Sequence, residues 1–148
     1  MLRDLLTGAV VSFLNFGIHA VMTALIVVAT RRTHSRTQHL GIFARLTALL
    51  TVTMIVLMCA HVAEIGVWAM FLHLSGIAIS GTDVFSFAFE NYTALGYGDA
   101  LPTEGPRRLI GPIMALNGLL LIGWSVAVIF EVMRMAEFQV GHRGKRSD

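Results

Sequence analysis

Asp4 is followed by about 26 residues without a single Asp, Glu, Lys or Arg, LLTGAVVSFLNFGIHAVMTALIVVAT, before charge returns at Arg31. As an α-helix that stretch measures about 39 Å at 1.5 Å per residue, enough to cross the ~30 Å hydrocarbon core of a bilayer with some tilt. Charge is scarce along the whole chain: 14% of the 148 residues are charged and 55% are apolar. Soluble domains carry roughly 25% charge. The balance excludes a disordered chain, argues against an ordinary soluble enzyme and leaves room for about three spans of ~20 residues. A cleaved signal peptide fits poorly, because the first apolar run is too long and its start carries both Arg3 and Asp4.

A second span is expected from about Leu46 to Leu72, and a third from Leu109 to about Phe130, with Pro112 in its first turn where a missing N–H costs least. Between the first two lie Arg31, Arg32, Arg36 and Arg45 without any acid; after the third come Arg134, Arg143, Lys145 and Arg146. Three spans place both basic segments on one side, and the positive-inside rule makes that side cytoplasmic. The N-terminus and the stretch from His73 to Arg108 are then external. The same arginines, Arg31, Arg32, Arg36 and Arg45, suit anionic lipid headgroups at about 1 kcal/mol each. Nucleic acid is a poor partner, since no folded domain presents the charge. Lone Cys59 excludes an intrachain disulfide and, lying in an apolar run, is expected to be a buried inert thiol.

The external stretch carries the sharpest signal. His73–Gly81 reads as a turn or loop, and Asp83–Thr93 is an apolar run too short to cross a bilayer, as in a re-entrant segment, with Thr82 or Asp83 placed to cap it. It leads directly into Thr93-Ala94-Leu95-Gly96-Tyr97-Gly98-Asp99. Gly96 and Gly98 permit left-handed φ values, so successive carbonyls can turn toward one side and replace a cation's hydration shell. The short helix would direct its negative C-terminal end toward such a pathway.

From about Asp83 to Met133 the chain resembles the pore module of bacterial two-transmembrane potassium channels, the ion-channel family with one pore loop. Ala94-Leu95-Gly96-Tyr97-Gly98-Asp99 stands in the places of T-x-G-Y-G-D; Pro102, Arg108 and Gly118 also fit. The first span is an addition to the simplest family pattern. The resemblance implies an all-α membrane protein with three transmembrane helices, a re-entrant pore helix and a selectivity-filter loop, assembled as a homotetramer. It divides the chain into an N-terminal span and basic loop (1–45), a pore domain (46–135) and a basic tail (136–148) whose last residues are expected to lack fixed structure. Within the pore domain the outer helix is 46–72, the pore helix 83–93, the filter 94–98 and the inner helix 107–135.

The resemblance further implies that K+ is the permeant ion, held by the carbonyls of Ala94, Leu95, Gly96 and Tyr97, with Thr93 and Gly98 completing the filter. No cofactor and no covalent chemistry are implied. Glu90 is expected behind the filter and Asp99 at its outer mouth, where two carboxylates sharing a semi-buried space favour a common proton. Ala94 departs from the usual Thr and removes a hydroxyl from the innermost ion site. That departure, with the extra span, keeps open a weakly selective cation pore and a non-conducting assembly or regulatory subunit.

Polar residues inside the spans have two readings each. Asn15 and His19 lie four apart, a spacing that sets them on one helical face turned toward protein rather than lipid. His61 and Glu64 share a face as a structural or interfacial pair; they could start a metal site, but no neighbouring cluster completes one. Asn117 either faces a cavity below the filter or makes an interhelical hydrogen bond. Gly118 and Gly123 allow bending or close packing of the third span. Trp68 and Trp124 suit either an interface or a packed interior. No span carries Arg every third residue, which argues against a voltage sensor.

Overall fold

The structure, a computed structural model, describes residues 2–96, 102 and 109–144, with side chains described to Ala136. Four helices follow one another: α1 (Leu2–Arg36), α2 (Ile42–Leu74), α3 (Val84–Tyr92) and α4 (Ile110–Gly144). Three of them, Leu2–Arg36, Ile42–Leu74 and Ile110–Ala136 within α4, are long and apolar enough to span a membrane. This is an all-α, multi-pass membrane architecture.

The long helices outrun their apolar segments. α1 continues past Thr30 through Arg31–Arg36, α2 begins before Leu46 at Ile42, and α4 continues beyond residue 135 into the expected tail; the expected start of the inner helix at 107 lies outside the described residues. Hydropathy reports the thickness of the bilayer, not where backbone hydrogen bonding stops, and Arg, Glu, Met and Gln are good helix formers. The i,i+3 pair Glu131–Arg134, with contacts at 2.9 and 3.0 Å, lies on the extended part of α4. Only residues 37–41 separate α1 from α2, closed by Leu40 N–H to the Thr37 carbonyl at 3.0 Å.

Each long helix buries one narrow stripe. On α1 it runs through Asp4, Gly8, Val11, Asn15, His19, Ile26 and Thr30; on α2 through Arg45, Leu49, Thr53, Leu57, Ala60, Glu64, Trp68 and Leu72. These spacings of three, four and, from His19 to Ile26, seven follow a single helical face. The remaining faces expose large apolar side chains, among them Val10, Phe13, Ile55, Met58, Leu116 and Phe130. Greasy outside and partly polar inside is the pattern expected when lipid or another subunit replaces water as solvent. Cys59 falls between the inward positions and is exposed, correcting the expectation of burial. In a membrane helix an apolar run is no longer evidence for an interior position.

The chain forms two compact units, Met1–His19 with Ala60–Gly123 and Ala20–Cys59 with Trp124–Asp148. In the first, Val11, Ile65, Trp68, Leu72, Ile77, Phe87, Tyr92, Ile110, Met114 and Leu121 make one apolar cluster around α3. An antiparallel bridge between Ile79 and Pro102 ties the segment before α3 to the segment after it. In the second, Ile26, Leu49, Leu57, Val132 and Ala136 pack together. A cavity of about 150 Å³ there is lined by Thr30, Arg31, His34, Leu49, Val132, Met135 and Ala136.

Candidate functional site

The site is built around α3. At nine residues it is too short to be stable alone, so its ends and its buried face must hold it. Asp83 provides the N-cap: its carboxylate accepts from the amides of Phe85 and Ser86 at 2.9 and 3.0 Å and from the Ser86 hydroxyl at 2.7 Å. The Ser86 hydroxyl first, then its amide, hold the Asp83 carboxyl below its ordinary value. Of the two cap candidates, Asp83 is the one used.

The other end is a Schellman turn. Thr93 is the C-cap, Ala94 N–H donates to the Asn91 carbonyl at 2.9 Å, and Leu95 N–H donates to the Glu90 carbonyl at 2.9 Å. Ala94 occupies the position usually given to Gly, with φ of 57°, and Gly96 follows with φ of 49°. An alanine held there costs roughly 1–2 kcal/mol. The Thr93 hydroxyl turns back to the Phe89 carbonyl at 2.9 Å. Leu95 is exposed and Glu90 half-buried. Tyr97, Gly98 and Asp99 lie outside the described residues, as does the Glu90–Asp99 pairing.

Two glycines of α4 let it approach α3. A Cβ on Gly111 would meet Asn91 Oδ1 at 2.6 Å. On Gly118 it would collide with the Tyr92 carbonyl oxygen and stand 2.8 Å from the carbonyl carbon. Gly118 is therefore a point of close packing against the end of α3. Gly123 has open space where a Cβ would go.

Behind this end lies a buried polar network. Glu64 is fully buried on α2. One carboxylate oxygen meets His19 Nδ1 of α1 at 2.8 Å; the other accepts from the Tyr92 hydroxyl and lies 3.2 Å from His61 Nδ1. His61 Nδ1 also reaches the Tyr92 hydroxyl at 2.8 Å. One turn away, Asn15 Nδ2 donates to Asn117 Oδ1 at 3.0 Å and to the Glu64 carbonyl at 3.3 Å, and Trp68 Nε1 donates to the same Asn117 oxygen at 3.0 Å. Asn117 thus makes the interhelical bond of its two readings, and Trp68 is packed and fully buried.

The chain positions Thr93–Gly96 through Tyr92, which all the other helices grip: α1 and α2 through Glu64, and α4 through Gly118. Sequence reasoning placed Asn15 and His19 on one face and His61 and Glu64 on another, without joining the two pairs. Tyr92 was not singled out. Its signal is its place, as the last helical residue before Thr93–Gly96.

A family model described as "Ion channel" matches residues 58–135, just over half of the chain. Its span takes in Glu64, His61, Trp68, Tyr92 and Asn117 of the network but not Asn15 and His19, together with α3, the Gly-containing stretch and α4 to residue 135. No curated protein and no solved structure gave a significant match. On the family match and the all-helical membrane fold, the chain belongs to this ion channel family.

Proposed function

We propose that this ion channel conducts potassium selectively and passively, through a filter made of Thr93–Gly98 from four copies of the chain. The observation that carries the reading is the end of α3: a helix too short to span, closed by a turn whose Ala94 and Gly96 both take left-handed φ, running straight into Tyr97-Gly98-Asp99. Alternating handedness is what aims successive carbonyls at a dehydrated cation, and the negative end of α3 adds a cation-favouring field. One such segment cannot enclose an ion, so four chains about a symmetry axis are required. Leu116, Leu119, Leu120 and Phe130 of α4 expose apolar surface for lipid or neighbouring subunits.

In this reading the arginine-bearing end of α1 and the tail of α4 are cytoplasmic, and Asp99 draws cations to the external mouth. Arg31 and His34 at the apolar cavity of the second unit suit the headgroup of an anionic lipid whose tail lies along Leu49 and Val132. Glu90 supports the filter through its carbonyl, which accepts from both Leu95 and Gly96.

Liposomes containing the purified chain test the reading. Potassium flux well above sodium flux is expected, and its loss on replacing Gly96 or Gly98 with a bulky residue. Equal fluxes would refute the selectivity and leave a weakly selective cation pore. No flux of either ion would refute conduction and leave a membrane assembly or regulatory subunit.

A further inference from the structure

Holding Tyr92 in place does not require the ligand chemistry gathered at Glu64. His19 Nδ1, His61 Nδ1 and the Glu64 carboxylate converge, their ligand atoms all within 4.8 Å of one another. The Tyr92 hydroxyl joins them as a fourth donor atom, 2.8 Å from His61 Nδ1. The histidine–carboxylate contacts are 2.8 and 3.2 Å. Around a zinc ion with bonds of about 2.0–2.1 Å, tetrahedral ligand atoms stand about 3.3 Å apart. The cluster is therefore close to that spacing, and small side-chain shifts would open it to an ion.

Ligand chemistry narrows the class. Two imidazoles and one carboxylate form a set suited to zinc-like transition metals, whereas Mg2+ and Ca2+ require more oxygen donors. Burial reinforces the case: His19 and Glu64 have no exposed surface, and a carboxylate removed from water is stabilised by a cation beside it. His61 is 17% exposed and offers a way in. His19 is the ligand that local spacing on α2 could not supply, because it comes from a different helix.

We propose that His19, His61 and Glu64 form a binding site for a divalent transition-metal ion of the zinc class, with the Tyr92 hydroxyl at the fourth position. Such an ion would link α1, α2 and the last residue of α3 into one rigid joint behind the filter. The site depends on these side chains alone and not on potassium selectivity.

Cobalt(II) is the probe, because its visible absorption intensifies in a four-coordinate site. The full-length protein in lipid nanodiscs is stripped with chelator and titrated with Co2+, then with Zn2+ as competitor. One Co2+ per chain is expected, with the intense band of a four-coordinate site, displaced by Zn2+ and unaffected by excess Mg2+ or Ca2+. Loss of a second-shell partner alone weakens metal sites 10–100-fold, so His61→Gln and His19→Gln should each weaken binding by about a hundredfold or more. His73→Gln, at the end of α2, should leave it unchanged. If buried His19→Gln does not fold, His61→Gln, at a side chain with some exposed surface, still decides. A folded protein without the band, a band undiminished in His61→Gln, or equal competition by Mg2+ would each overturn the proposal. Flux is not the readout, so the site can fail while the channel conducts, and the reverse.

Discussion

Gly118 and Gly123 lie five residues apart on α4, and alanine at the two positions should have opposite effects. A Cβ at residue 118 runs into the Tyr92 backbone: the carbonyl oxygen is in outright collision, the carbonyl carbon is at 2.8 Å and the ring Cγ at 3.1 Å. Backbone cannot rotate aside, so α4 must move away from α3 or α3 must shift. Overpacking of this kind typically costs 1–3 kcal/mol, and a rigid partner places Gly118→Ala near about 3. Alanine returns up to about 1 kcal/mol of helix propensity, for a net loss of about 2. Gly123→Ala meets nothing within 4 Å and keeps only the gain. The two variants should therefore differ by about 3 kcal/mol, or roughly 150-fold in the unfolding equilibrium. Reversible unfolding in mixed micelles, followed by Trp68 and Trp124 fluorescence, measures the difference. Stabilities within about 0.5 kcal/mol of each other would refute the close approach of α4 to Tyr92.

Further outcomes follow from single contacts. Ala94→Gly should stabilise the end of α3 by about 1 kcal/mol by relieving its left-handed φ, whereas Ala94→Thr should destabilise it; hydrogen exchange at Leu95 and Gly96 reports both. Trp68→Phe keeps the packing and removes the donor to Asn117, so a loss of about 1 kcal/mol is expected in the same unfolding assay. Asp83 has a carboxyl held below the ordinary value of 3.8, so its contribution to capping is complete above that pH and is lost as pH falls through the lowered value. Protection of the Phe85 and Ser86 amides, their exchange rate relative to the intrinsic rate at each pH, should fall on that descent in the native chain and should be low at every pH in Asp83→Ala.

Much of this architecture is written in one-dimensional patterns. Uncharged runs mark the spans, and three- and four-residue spacing puts Asn15 with His19 on one face and His61 with Glu64 on another. Periodicity stops there, because a helical face does not name the face it meets. His19 and Glu64 are 45 residues apart, and only the packing of α1 beside α2 makes them neighbours. Gly118 and Gly123 look equivalent in sequence, and differ because one lies over a backbone carbonyl. The left-handed Ala94 was illegible for a different reason: a residue with a Cβ rarely takes that conformation, so tertiary restraint outweighs local preference. Cys59 misled because an apolar neighbourhood means an interior in water and an exterior in lipid.

The short connection at residues 37–41 has a bearing on how the protein is made. A helix bearing Asn15 and His19 enters the bilayer with two polar groups that lipid cannot satisfy. Their partner Glu64 is supplied by the very next helix, so the first two spans can cancel each other's polarity as a hairpin before the ribosome has delivered α3. Tyr92 of α3 then finds Glu64 in place, and Asn117 of α4 finds Asn15 and Trp68. Synthesis order and polar pairing coincide: the first span carries the histidine that meets the buried acid of the helix that follows it.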